Sequence, residues 1–161
     1  MIDLRFPTAL QLVLSLAFAA EIGQRCTSSG LALGLGANPS LVRKLLVPLA
    51  RDGIVVASLG KNGGVRLGRP AGRITLRDVY QSVMEGKRVL APRGDVPSLC
   101  LVSTNIGKLF EMISREAESA LLSALNGRTI ADSLEELRQL NQQQPAALKT
   151  PKSVQLGKDG N

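Results

Sequence analysis

The spacing of apolar side chains divides the chain into helices around one short β-branched stretch. From Thr8 to Glu21, Leu10, Val13, Leu14, Ala17 and Phe18 recur at helical intervals. Leu12, Leu16 and Ala20 widen that stripe until it is apolar nearly all round, which predicts burial on several sides, beneath neighbouring helices and a partner subunit. A second helix is expected over 28–35, capped by Thr27 or Ser28, with Leu31, Leu35 and part of Leu33 turned inward. After Gly36-Ala37, Asn38 is a good cap and Pro39 a good first residue for a third helix, running to about Asp52 and stopped by Gly53. Its Val42, Leu45, Leu46 and Leu49 fall on one stripe, and Ser40, Arg43, Lys44, Val47 and Arg51 on the opposite one. Ile54-Val55-Val56 reads as a strand, Gly60 to Gly64 as a loop and Val65-Arg66-Leu67 as the return strand.

Thr75 caps a fourth helix over 76–85, with Val79, Tyr80 and Val83 inward, and the breakers Pro92, Gly94 and Pro97 make 86–98 an exposed loop. A long helix follows from about Ser103 to Leu125. Its Ile106, Phe110, Ile113, Ala117, Ala120 and Ala124 are spaced like a coiled-coil seam, and Leu109, Met112, Leu121 and Leu125 broaden it. That is more apolar surface than one small domain covers, which predicts a homodimer through this helix. A short helix capped by Thr129 closes the domain over 130–140, and 141–161 reads as a disordered tail.

Charge sharpens this picture. The net charge is +7. Between Ile22 and Arg73 stand Arg25, Arg43, Lys44, Arg51, Lys61, Arg66, Arg69 and Arg73 against the single acid Asp52, so the rest of the chain sums to zero. A local excess of this kind is a footprint for a polyanion, and no lipid-facing amphipathic helix accompanies it. With four aromatic residues in all, the stacking platforms of single-strand and RNA binders are missing, which favours duplex DNA. A cationic helix followed by a cationic two-stranded ribbon is how a winged helix-turn-helix grips DNA, helix in the major groove and wing along the backbone. The expected fold is therefore mostly α with a small β-hairpin wing and a long C-terminal dimerisation helix. The chain has no histidine, nucleotide-binding loop or nucleophile elbow, which argues against an enzyme. The apolar run 9–20, ending Ala17-Phe18-Ala19-Ala20, imitates a secretory leader. Asp3 beside Arg5 leaves its front without net positive charge, and the run is too short to span a bilayer, so a cytoplasmic protein is expected.

Ser28-Ser29, Leu31-Ala32, Leu35-Gly36, Asn38-Pro39, Val42 to Leu46, Gly53, Gly63-Gly64, Leu67, Arg69-Pro70-Ala71, Ile74-Thr75-Leu76 and Asp78-Val79-Tyr80 occur in this order. Together they resemble the Rrf family of bacterial winged helix-turn-helix transcriptional regulators, the family of the iron–sulfur cluster regulator and the nitric-oxide-sensitive repressor. The resemblance is dense between 27 and 85 and looser out to residues 3 and 125. It implies a DNA-binding domain over 1–85, a sensor-type loop over 86–102, a dimerisation helix and a short closing helix over 103–140, and the tail. Ser40, Arg43 and Lys44 would meet base edges, Arg51, Lys61, Arg66 and Arg69 would hold phosphates, and Ser28, Asn38 and Asn62 complete the candidate set. The expected function is a dimeric regulator, a repressor, reading a pseudo-palindrome in double-stranded DNA.

Departures from the family pattern are concentrated in two places. Gly30 and Gly34 occupy helix-interior positions where relatives carry charged helix formers, at about 1 kcal/mol each against Ala. Pro48 removes a hydrogen bond to the Lys44 carbonyl and should kink the last turn of the third helix. In the loop before the long helix many relatives hold an iron–sulfur cluster through three cysteines, and this chain has Cys100 alone. A cluster needs several thiolates, so no cofactor or metal is expected. Cys100 remains a redox candidate, alone or paired with Cys26 or the partner subunit, although thiols flanked by leucines are more often inert. An unknown small molecule between sensor loop and wing is the other candidate effector. The competing functions are a winged-helix protein-interaction module without an operator and a thiol redox sensor acting through Cys100.

Overall fold

A computed structural model describes residues 3–58, 60–88, 90–91, 93–95 and 97–143. Helix α1 (Arg5–Glu21) is followed by α2 (Ser28–Leu35), α3 (Pro39–Arg51), strands β1 (Val55–Ser58) and β2 (Gly64–Leu67), a 3₁₀ turn (Ala71–Arg73), α4 (Leu76–Met84), α5 (Leu101–Asn126) and α6 (Ile130–Gln143). The two strands form one antiparallel hairpin in which Val55 pairs with Leu67 and Ser58 with Gly64.

The central element is α1. It packs against α2, α3, α4, α6 and β2, and it buries Ala9, Leu12, Val13, Leu16, Ala17 and Ala19. Of the alanines in the leader-like run, Ala9, Ala17 and Ala19 are thus core residues, whereas Ala20 is exposed and Phe18, expected on the inward stripe, is 48% exposed. α1 begins three residues earlier than its apolar spacing suggests, because Pro7 falls in the first turn, where its missing N–H has no intrahelical partner. Leu31, Val42, Leu49, Ile54, Val55, Ile74, Val79 and Ile130 complete one core with Leu12 and Leu16. Each such burial is worth about 1.5–3 kcal/mol. The Phe6 ring meets that of Tyr80 edge-on, with centroids 5.2 Å apart, and so ties α1 to α4.

Local chemistry sets the boundaries. Thr27 caps α2 by accepting from the Gly30 N–H at 3.0 Å, and Asn38 caps α3 by accepting from Ser40 N–H at 2.8 Å. Between them Gly36 adopts φ +59°, the left-handed geometry that reverses the chain so sharply. α3 carries the buried Pro48 within its last turn without interruption. Thr75 and Asp78 form a reciprocal capping box at the start of α4. β1 lies later than the β-branched run implies, since Ile54 precedes it and Ala57 and Ser58 belong to it, whereas β2 begins one residue early, at Gly64, which opens the strand rather than ending the loop.

α5 starts at Leu101, two residues before the expected Ser103, and leaves the head through α4. α6 returns to it. Ile130 N–H donates to the Ile74 carbonyl at 2.8 Å, Leu76 N–H to that of Arg128 at 2.9 Å, and Arg138 pairs with Glu21 of α1. α6 also extends through Asn141, Gln142 and Gln143, which the absence of apolar spacing had assigned to the tail. The rest of that tail lies outside the described residues. No helix among the described residues is long and apolar enough to cross a membrane.

Candidate nucleic-acid interface

The amphipathic division of α3 is realised residue by residue. Val42, Leu45, Leu46 and Leu49 are buried, whereas Ser40, Arg43, Lys44, Val47 and Arg51 are exposed. The inner face fixes the helix on the core, and the outer face stands free for a ligand. Asn38 is committed to the cap through its side-chain oxygen. In the ribbon β2 alternates, with Val65 inward and Arg66 outward, while β1 runs from buried Val55 to exposed Ser58.

The ribbon does not stand alone. Val65 pairs with Cys26 in the α1–α2 linker through a hydrogen bond of 2.8 Å from Val65 N–H to the Cys26 carbonyl, so a single bridge stitches the linker to β2. Gly64 allows this approach, since a Cβ there would lie 2.7 Å from the Cys26 carbonyl oxygen. Next to it, the Arg25 guanidinium donates to the Lys61 carbonyl at 3.1 Å and to that of Gly63. The exposed Arg25 thereby grips the loop between the strands by its backbone. The charge count included Arg25 among the cations, but nothing in the sequence marks residues nearly forty positions apart as neighbours.

These elements enclose a cleft of about 660 Å³ in which Ser28 of α2, Arg43 of α3, Arg25 and the loop residue Lys61 share one lining. An adjoining cleft of about 370 Å³ holds Asn62 and Arg66 with the α1–α2 linker. Among the described residues, Arg25, Arg43, Lys44, Lys61 and Arg66 enter no ion pair, so their charge is available to an incoming anion. Two other candidate cations are engaged within the fold. Arg51 binds the Asp52 carboxylate at 2.9 Å and lies 3.8 Å from Glu85, and half-buried Arg69 binds Asp78 of α4 at 3.0 Å. The acids that hold them come from the C-cap of α3, the C-cap of α4 and the capping box of α4.

The far end of the molecule is apolar. Of the described residues of α5 only Ser114 is buried, its hydroxyl donating to the Leu90 carbonyl at 3.2 Å. Ile106, Ile113, Ala117, Ala120 and Ala124 of the seam are exposed and Phe110 is half-buried, with Leu109 and Met112 exposed alongside. Cys100 is the exposed N-cap residue of α5. Its thiol is lowered from the ordinary value, chiefly by the Ser103 backbone N–H, then by the Ser103 hydroxyl and the Val102 N–H. Cys26 is buried behind the ribbon, and burial raises its thiol. Both cysteines are free.

The sequence matches the family model of Rrf2, described as iron-dependent transcriptional regulators, over residues 2–136. It is 32% identical to protein aau3 of Rhizobium meliloti (strain 1021), the match covering 77% of this chain and 84% of that one. Among solved structures it is similar to IscR of T. potens, with a TM-score of 0.67, 16% identity and coverage of 91% of this chain and 95% of that one. It is also similar to CymR, the global cysteine regulator of B. subtilis, with a TM-score of 0.60, 20% identity and coverage of 84% and 97%. The family description raises the question of iron. Cys100 has no second cysteine on its side of the fold, Cys26 is sealed in the core, and no three His, Cys, Asp or Glu side chains converge among the described residues. These donors do not fit a metal ion or an iron–sulfur cluster.

Proposed function

Because the chain belongs to the Rrf2 family of transcriptional regulators, we propose that it is a cytoplasmic, dimeric repressor that reads a pseudo-palindromic operator in duplex DNA through α3 and the β-ribbon. The observation that carries this reading is the shared cleft: Ser28, Arg43 and Lys61, from three separate elements, line one surface whose cations have no carboxylate partner among the described residues. Ser40, Arg43 and Lys44 face base edges from the N-terminal half of α3. Lys61, Arg66 and Asn62 take the phosphates beside the groove, with Ser28 at the start of α2. Arg51 and Arg69 serve the fold first, through Asp52 and Asp78, and Arg25 positions the loop that presents Lys61.

Dimerisation through the α5 seam places two such surfaces about a two-fold axis, with half-sites about 34 Å apart or a multiple of that distance. The protein works without a bound cluster. Recovery of genomic fragments bound by the full chain tests the reading. A shared inverted repeat is expected, and a reporter placed downstream of it should be silenced. Fragments without a common sequence would mean a protein-interaction module instead.

A further inference from the structure

We infer that Val47 is a specificity-determining residue which reads the C5 methyl group of a thymine in each half-site. The inference rests on the duplex-DNA reading above and adds a contact of different chemistry. Val47 is 70% exposed, yet it stands on the cationic face of α3, four residues after Arg43 and three after Lys44. A lone exposed valine on an ordinary helix needs no explanation. Here its neighbours one turn back, Arg43 and Lys44, are cations without ion-pair partners among the described residues, and a helix that brings them to base edges carries Val47 into the same groove.

Within the major groove the apolar group on offer is the thymine methyl; the remaining base edges present hydrogen-bond donors and acceptors. A valine offers nothing to those groups and would strand them without water. Its two methyls fit a third one well. The side chain is also stiff, because a β-branched residue in a helix is held largely in one χ1 rotamer, so little freedom is lost when it is covered. Val47 lies about 6 Å along the helix axis from Arg43, on the order of two base-pair steps. The thymine should therefore sit about two base pairs from the base that Arg43 contacts.

The experiment uses the full chain and duplexes selected by it from an unmethylated random pool. In the selected duplex each thymine is replaced in turn by deoxyuridine, which removes the methyl and leaves every hydrogen-bonding group in place. For the native protein, one position per half-site should weaken binding by about fourfold, and both together by about 15-fold, the worth of one buried methyl at each site. Val47→Ala should bind thymine and deoxyuridine duplexes alike at that position, with unchanged affinity for scrambled DNA and an unchanged melting temperature. Indifference of the native protein to every thymine replacement would overturn the inference, as would a deoxyuridine penalty that persists in Val47→Ala. Either failure leaves the operator reading intact. Selection that yields no common sequence overturns that reading and this one together.

Discussion

Arg43 and Lys61 line the same cleft but should fail differently when truncated. Arg43 projects from the exposed face of α3, whose other face is buried, so under the proposed reading Arg43→Ala should cost about 1–3 kcal/mol on the operator and flatten the preference for its base. Lys61 sits on the loop, and Lys61→Ala should weaken cognate and scrambled duplexes alike while reducing the salt slope by about 1. Fluorescence anisotropy across a salt series separates the two outcomes. The cysteines differ as sharply. Hydrogen bonds at the α5 N-terminus favour the Cys100 thiolate, so alkylation of Cys100 should reach half its maximal rate at a lower pH than a free thiol, and Ser103→Ala should move that midpoint up. Cys26 should react only on unfolding. Mass spectrometry of iodoacetamide-treated protein reads both. At this scale the sequence disclosed which residues of α3 face outward, because helical periodicity alone decides that. It did not disclose that Arg51 and Arg69 already hold Asp52 and Asp78, and the second of these pairings joins residues nine positions apart across the 3₁₀ turn.

Among the elements, helices were legible through caps and spacing, and the errors lie where a local rule met a tertiary contact. Gly64 looked like loop because glycine is common there, but it is a strand residue selected by the closeness of the Cys26 carbonyl. Gly64→Ala should accordingly push the ribbon off the α1–α2 linker, at about 1–3 kcal/mol of stability, and lower affinity for any duplex. Thermal melts and DNA titrations of the same variant would show the two losses together. Arg25→Ala keeps the strand pairing and frees the loop, so it should lower affinity with little change in melting temperature. The grip of Arg25 on the Lys61 and Gly63 carbonyls had no signature in the sequence, since the linker carries neither strand length nor alternation.

At the scale of the molecule, the exposed seam of α5 predicts assembly. Ile113, 48% exposed, lies near its middle, and Ile113→Lys should give a monomer in light scattering. Losing the second reading surface should then weaken operator binding on the order of 100-fold, through the loss of effective concentration rather than of any DNA contact. The seam is visible in the sequence as a heptad-like spacing. The stitch between Cys26 and Val65 bears on how such an assembly could respond to a signal. The ribbon is fastened to the linker that leaves α1, and α1 is seated against α2, α3, α4 and α6, so ribbon and helices should move together. A change arriving along α5 meets the head at α4 and would tilt it bodily, like one jaw of a caliper. The gap between the jaws is then the adjustable quantity, while the shape of each jaw stays constant.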